Sequence, residues 1–257
     1  MRPDLIWLLF STCLFGGAIC WEAAKIRSGR PESFSGNLLL MAGGFVSQTV
    51  FLFLRGREMG SCPITKPAEI LVFVAWSAVA LYFLVGRPFR LSLLGTFTAP
   101  LAVLFQLTAL PRLQPPVAHP TESDFWLQLH ASISLVAYGA FALACAAGVM
   151  FLLQDRLLRT GHLEGLSFRL PPVTNLTHSI VRLVGAGLLL LSLGIVCSFG
   201  MRKPPSHLHL MLSGVVWLVY AVLWGWRRWG MLPNSRMAWC AIGSFMLPVV
   251  TLGLLEH

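Results

Sequence analysis

Charged side chains are scarce in this sequence. Only 11% of its 257 residues are Asp, Glu, Lys or Arg, whereas 56% are hydrophobic, and the mean hydropathy is +0.74. Soluble domains typically carry about 25% charged residues. The shortage of charge therefore excludes an ordinary soluble domain and predicts an integral membrane protein that has the lipid bilayer as its surroundings.

Several motifs that carry chemistry in other proteins are also missing. The six cysteines, at positions 13, 20, 62, 145, 197 and 240, never have Cys-x-x-Cys spacing, which argues against a dithiol redox site or a disulfide framework. No nucleophile with a neighbouring base, phosphate loop or paired-carboxylate site is recognisable. The net charge of +9 is scattered over short loops rather than gathered on one face, so no nucleic-acid partner is expected.

Long charge-free runs are what the sequence has in abundance. A helix rises about 1.5 Å per residue, so about 20 apolar residues cross the hydrocarbon core of a bilayer. The runs predict an all-α bundle of eight transmembrane helices that forms one polytopic domain, residues 1–257. The predicted spans are Leu5–Trp21, Asn37–Leu54, Ile70–Gly86, Leu91–Leu110, Phe125–Gln154, Leu183–Phe199, Leu208–Trp226 and Met237–Leu255.

The basic residues predict the orientation of this bundle. Loops 22–36, 87–90, 155–182 and 227–236 carry twelve of the nineteen Lys and Arg residues, and the opposite side carries seven. By the positive-inside rule the richer side is cytoplasmic. Because the number of spans is even, both termini are expected on the outer side of a bacterial plasma membrane.

One histidine stands out by its position. The run between Asp124 and Asp155 holds no charged residue and a single histidine, His130. Trp126 lies four residues before it and therefore shares its helix face. A polar side chain in the membrane is costly unless it faces protein, water or a ligand. His130 is therefore a candidate for function, and the alternative is a histidine at headgroup depth bonded to a carbonyl.

The other histidines suggest a binding site at the same end. His207 and His209 begin the seventh span and His257 follows the eighth, and all three are predicted on the outer side with His130. Histidines on facing helices commonly hold a metal or haem iron in a bundle. A zinc site would need three or four ligands, which no pattern supplies convincingly.

Other residues on the predicted outer side suit a haem. The propionates of a porphyrin need cations, and Arg55, Arg57 and Arg112 lie on that side. Trp126 and Trp7 are candidates to pack on the ring. The alternative for these tryptophans is the ordinary aromatic belt of a membrane protein.

Three blocks of the chain resemble the cytochrome c assembly protein family, which includes CcsA, HemX and YpjD. Residues 63–76, P-I-T-K-P-A-E-I-L-V-F-V-A-W, are similar to the family's P-L-S-N-x-Y-E-S-L-x-F-L-A-W segment. Leu129, His130 and Tyr138 match its L-H-x-x-x-x-x-x-x-Y helix, and Trp217-Leu-Val-Tyr220 matches its W-L-x-Y helix. Together the blocks cover most of residues 60–250.

The resemblance implies a role in c-type cytochrome biogenesis. It implies that His130 is an axial ligand of haem b on the outer side, that His257 is the second ligand with His209 as its competitor, and that haem is held for or handed to a partner. The partner would be apocytochrome c or another maturation subunit.

The sequence also departs from the family's synthetase type. The outer W-G-x-x-W-x-W-D signature is absent, because residues 198–207 read S-F-G-M-R-K-P-P-S-H. The histidine that the family carries near the inner end of the W-L-x-Y helix is also missing, because Trp224 and Gly225 occupy that place. We therefore expect binding rather than bond-making, and not an enzyme. The alternatives are a HemX-like regulator of haem synthesis and a haem-free scaffold or carrier.

Overall fold

The structure is a computed structural model that describes residues 2–28, 34–64, 66–86, 94–116, 124–160, 173–202 and 207–254. This part of the chain forms eight α-helices and one 3₁₀ turn at Leu110–Arg112, and it contains no strand. The helices are α1 (Pro3–Ser28), α2 (Phe34–Met59), α3 (Pro67–Gly86), α4 (Leu94–Ala109), α5 (Phe125–Arg159), α6 (Val173–Ser198), α7 (His207–Arg228) and α8 (Asn234–Leu254). The all-α prediction is confirmed.

Seven of these helices, α1 to α7, are long and apolar enough to cross a membrane over the residues whose side chains the structure describes. In helix α8 the structure describes side chains only as far as Thr251. The described stretch begins with the polar residues Asn234, Ser235 and Arg236. The chain is therefore a multi-pass membrane protein. Each of the eight predicted spans has a corresponding helix, and the count of membrane-spanning helices in the described part is seven.

The charge-free criterion placed the start of the sixth span too late. Helix α6 begins at Val173, ahead of the predicted start at Leu183. Arg182 and His178 both lie in the helix with exposed side chains. Charged side chains on a membrane helix can extend toward the interface, so a charge does not end the helix.

Polar contacts between helix ends identify one end of the bundle. Arg55 at the end of α2 bonds Asp4 at the start of α1 and Glu69 at the start of α3. Asp124, which precedes α5, accepts a hydrogen bond from the backbone of Arg202, which follows α6. We call this the His130 end, and the opposite one the His178 end. Which of them faces outward remains a prediction from the positive-inside rule.

Helix α5 is the central helix of the bundle. It packs most extensively on α6, and then on α8 and α3. Small residues allow this close approach. A Cβ atom at Gly139 would lie 2.6 Å from the Cβ atom of Ser77 on α3, and one at Gly148 would lie 3.0 Å from the carbonyl oxygen of Ala238 on α8. The small residues in the middle of α5 thus bring this helix close to α3 and α8, and His130 lies near its start.

Candidate ligand site at the His130 end

The start of α5 is anchored to the end of α6 through one carboxylate. Asp124 accepts a hydrogen bond from the backbone nitrogen of Trp126 at 3.1 Å with one oxygen, and from the backbone nitrogen of Arg202 at 2.8 Å with the other. The first bond is an N-cap, which satisfies an amide that the helix itself leaves unpaired. The second fixes the depth of α5 against α6, and with it the depth of His130.

His130 keeps one ring nitrogen available. Its Nδ1 atom lies 2.7 Å from the carbonyl oxygen of Gly194 on α6. A carbonyl can only accept, so Nδ1 carries the hydrogen, and in the neutral ring this leaves the lone pair on Nε2. Among the described residues Nε2 has no hydrogen-bond partner, and the ring is only partly buried. Metal-ligating histidines are commonly held in this way, with one nitrogen bonded to the protein and the other on the metal.

This geometry accommodates both interpretations of His130. The bond to a backbone carbonyl, which was the alternative to a functional role, occupies Nδ1. The same bond sets the tautomer that a ligand to iron requires at Nε2. The carbonyl bond therefore does not remove His130 from the candidate site.

Gly194 also lets α6 pack closely against α5 near Ser134. A Cβ atom at this position would lie 2.5 Å from the Oγ atom of Ser134, which follows His130 by one turn of α5. That hydroxyl is buried and has no hydrogen-bond partner among the described residues. Buried polar atoms are nearly always paired, so an unpaired one next to the glycine that bonds His130 suits the approach of a ligand.

Trp126 and His130 both contact the end of α6 and the residues just beyond it. A Cβ atom at Gly200, just beyond α6, would lie 2.6 Å from the indole of Trp126. The ring therefore rests against the backbone of Gly200, and 44% of the residue is exposed. The structure thus brings Trp126 and His130 together on the side of α5 that contacts α6, with the indole still accessible.

Arg55 is already fully paired, which corrects its predicted role. The side chain is 0% exposed, with Nη1 2.7 Å from Asp4 and Nε 2.9 Å from Glu69. Its Nη2 atom donates to the carbonyl oxygen of Gln114. Because two carboxylates and a carbonyl use this guanidinium, we do not include Arg55 among the residues that would neutralise propionates. It ties α1, α2 and α3 together instead.

Of the other residues predicted for the haem site, the structure describes the side chains of some and not of others. Arg57 and Arg112 are exposed at the His130 end, and Trp7 packs edge-on against Phe10 on α1. His257 and the side chains of His207 and His209 lie outside the described residues. The part of the chain that is described holds no cluster of three or more His, Cys, Asp or Glu residues arranged for a metal ion.

The sequence interpretation missed Gly194, Asp4 and Glu69. The two carboxylates had a usable signal, since both begin helices on the same predicted side as Arg55 and a buried arginine needs such partners. Gly194 had none, because it is far along the chain from His130 and one glycine among 23 is not distinctive.

Known proteins are similar to this part of the chain. A family model described as Cytochrome C assembly protein matches residues 65–200, which include His130 and Gly194. The cytochrome c biogenesis protein CcsA of Synechococcus sp. (strain JA-3-3Ab) is 31% identical over 154 residues, covering 57% of this chain and 44% of that protein. The CcsA protein of Chlamydomonas reinhardtii is 25% identical over 197 residues, covering 71% of this chain and 50% of that protein.

The CcsA protein of Synechococcus elongatus (strain ATCC 33912 / PCC 7942 / FACHB-805) is 32% identical over 122 residues, covering 45% of this chain and 37% of that protein. The chain thus spans about half the length, or less, of the curated relatives that it matches.

Proposed function

The chain belongs to the cytochrome c assembly protein family, and from this we propose that it binds haem b at the His130 end and contributes to c-type cytochrome biogenesis. The observation that carries the proposal is the hydrogen bonding of the His130 ring. Its Nδ1 atom is held by Gly194 and its Nε2 atom has no partner among the described residues, within the segment that the family model matches.

The residues at this end fit a haem. His130 would supply one imidazole to the iron, and either His209 or His257 would supply the other. Trp126 would pack on the ring, and Arg57, with Arg112, would neutralise the propionates. When bound, haem supplies an iron that accepts imidazole nitrogens and vinyl groups to which cysteine thiols add. The chain's own residues bind and orient the group.

This assigns binding rather than catalysis to the chain, because residues 198–207 contain no tryptophan that could present a haem. We propose that it holds haem for, or passes it to, an apocytochrome c or another maturation subunit at a bacterial plasma membrane.

The absorption spectrum of the purified protein tests the haem site. Full-length protein in detergent is compared with His130→Ala, and with His178→Ala as the matched control, because His178 is an exposed histidine at the other end of the bundle. We expect a Soret band in the wild type and the control, and a lost or shifted band in His130→Ala. A wild type that shows no Soret band after haem is added back would overturn the proposal and favour a haem-free scaffold. An unchanged His130→Ala spectrum would remove His130 from the site.

A second candidate function is regulation of haem synthesis, as expected for a HemX-like protein. The missing tryptophan-rich segment favours it, since that segment marks the synthetase type. Deleting the gene separates the two functions. Loss of c-type cytochromes at normal total haem supports biogenesis, whereas altered tetrapyrrole levels with intact c-type cytochromes support regulation.

A further inference from the structure

The connection between α2 and α3 is a loop that is closed at its base. Arg55, near the end of α2, donates from Nε to Glu69, in the first turn of α3, at 2.9 Å, and both side chains are buried. The other carboxylate oxygen of Glu69 accepts from the backbone nitrogen of Lys66 at 3.3 Å. Compact loops whose ends lie close together are frequently functional. We call this connection, residues 60–66, the closed loop.

Internal contacts give the closed loop a compact shape. Gly60 has a φ of 68°, a backbone conformation that favours glycine and turns the chain back after α2. The backbone nitrogen of Ile64 donates to the carbonyl oxygen of Cys62 at 2.9 Å, and Pro63 between them is buried. Cys62 is therefore held in place by the loop around it.

The tip of the closed loop contacts the start of α5. The backbone nitrogen of Cys62 donates to Oε1 of Gln128 at 3.4 Å, and its Sγ atom lies 3.6 Å from the Oγ atom of Ser132. Gln128 and Ser132 are four residues apart, so they share one face of α5. This face is the one on which the loop rests.

The loop and α6 contact opposite faces of α5. Positions 128 and 132 each lie two residues from His130, and two residues correspond to about 200° of rotation around a helix. The two contact residues therefore flank the line directly opposite His130. On the His130 side, the imidazole donates to the carbonyl oxygen of Gly194. The start of α5 is thus held between the closed loop and α6.

These contacts matter because the start of α5 is not deep in the core. Residues 125–127 are exposed, residues 128–134 are partly buried, and Leu135 is the first buried residue of the helix. A helix end with little buried surface depends on individual contacts for its position, and regions with few buried contacts open most easily.

We propose that the closed loop positions His130 for ligand binding, with Gln128 as the positioning residue through which it acts. The loop supports α5 on one side and α6 accepts the hydrogen bond on the other, so the 2.7 Å distance between Nδ1 and the Gly194 carbonyl oxygen depends on both. The ion pair of Arg55 and Glu69 fixes the base of the loop and thereby contributes to the site. This inference rests on the proposed function, because it concerns the imidazole that would bind haem.

Haem titration of full-length protein in detergent tests the role of Gln128. Gln128→Leu removes the acceptor for the Cys62 amide at similar side-chain size, whereas Gln128→Glu keeps an acceptor oxygen. Leu127→Ala is the control, because Leu127 is an exposed neighbour on α5. We expect Gln128→Leu to bind haem b about 10-fold more weakly, as the loss of an orienting partner does, at a nearly unchanged melting temperature.

Gln128→Glu and Leu127→Ala should bind haem as the wild type does. Unchanged affinity in Gln128→Leu, or an equal loss of affinity in Gln128→Glu, would overturn the role of this residue.

A disulfide can replace the lost contact. Because Sγ of Cys62 lies 3.6 Å from Oγ of Ser132, Ser132→Cys places a second thiol within reach of it. In the Gln128→Leu/Ser132→Cys variant, oxidation with copper phenanthroline should form this disulfide, identified by mass spectrometry, and restore the haem affinity. Reduction should remove the gain. Gln128→Leu/Ala131→Cys is the control, which should not crosslink to Cys62. A disulfide that forms without restoring affinity would overturn the inference.

A measurement without haem separates this inference from the proposed function. Diethyl pyrocarbonate modifies imidazoles, and mass spectrometry gives the rate at each histidine of the full-length protein. We expect His130 to react several-fold faster in Gln128→Leu than in the wild type, and the exposed His178 to react equally in both. Equal rates at His130 would overturn the inference. A wild type that takes up no haem but shows the faster reaction in Gln128→Leu would overturn the proposed function and support the positioning of His130 by the loop.

Discussion

The two halves of the bundle differ in the polar groups that join their helices. Helices α1 to α4 are joined by several polar bonds: besides the Arg55 cluster, Ser11 donates to the carbonyl oxygen of Gly44 at 2.9 Å, and Thr12 donates to Gln106 at 2.8 Å. Glycines bring helices together in both halves, as Gly44 does against Phe15, and as Gly148, Gly187 and Gly194 do around α5 to α8. Interhelical hydrogen bonds and small-residue packing are the two ordinary ways to join helices in lipid.

This difference indicates where a ligand is to be sought. In the first half the most costly group, the guanidinium of Arg55, has a protein partner on each of its three nitrogens, so it stabilises the structure. In the second half His130 uses one nitrogen and leaves the other free among the described residues. A buried polar group with all its bonds made is a structural element, whereas one with a bond unmade beside an open surface is a candidate for binding.

Removing Arg55 should have the largest effect on stability. Arg55→Met leaves Asp4 and Glu69 buried without their cation, and breaking a buried pair in this way costs about 3–5 kcal/mol. We expect a much lower melting temperature in detergent, or failure to accumulate in the membrane. The control is Arg57→Met, an exposed arginine two residues away. Equal melting temperatures for the two variants would contradict a structural role for the cluster.

Glycine packing of α5 on α3 should be nearly as sensitive. Gly139→Ala places a Cβ atom 2.6 Å from that of Ser77 and 2.9 Å from the backbone nitrogen of Ala78, which cannot turn aside. Overpacking of this kind costs about 1–3 kcal/mol. Thermal unfolding of Gly139→Ala and Gly243→Ala gives the measurement, because Gly243 on α8 has open space around its Cβ position. A similar change in both variants would argue against close packing of α3 on α5.

Gly194→Ala should separate binding from stability. The new methyl group meets the Oγ atom of Ser134, and we expect the overlap to be shared between a turn of that side chain and a small shift of α6, so the stability loss should be about 1 kcal/mol or less. The shift of α6 should weaken the bond from His130, and losing such an orienting partner lowers metal affinity about 10–100-fold. Haem titration measures this, with the Gly194→Ala/Ser134→Ala double variant expected to recover affinity. Unchanged affinity in the single variant would show that the Gly194 carbonyl does not orient the ligand.

The smallest effect is expected where α7 meets α6. Trp217→Phe removes the 2.8 Å hydrogen bond to Ser192 and keeps most of the ring. Interhelical hydrogen bonds in membranes contribute about 0.6 kcal/mol on average. The melting temperature should fall slightly relative to Trp239→Phe, a tryptophan on α8 that is 63% exposed. A fall as large as that of Gly139→Ala would mean that α7 is held mainly by polar bonds.

Much of the fold followed from run lengths alone, and the errors have local causes. The apolar runs predicted a helix at each of the eight places where one is found, but the start of α6 was wrong because Arg182 was treated as a boundary. His130 was chosen because a histidine within an apolar run is costly without a partner, and its role in binding stays a prediction. Arg55 was misjudged because position on the predicted outer side says nothing about which carboxylates a guanidinium meets.

The sequence by itself determined that the chain lies in a membrane and where its helices run. Backbone groups in lipid must bond within their own helix, so apolar length alone specifies a span. Only the tertiary structure decided that Arg55 is paired with Asp4 and Glu69, and that Gly194 orients His130. These partners lie on other helices, and their meeting depends on how glycines and polar groups set the depth of one helix against the next.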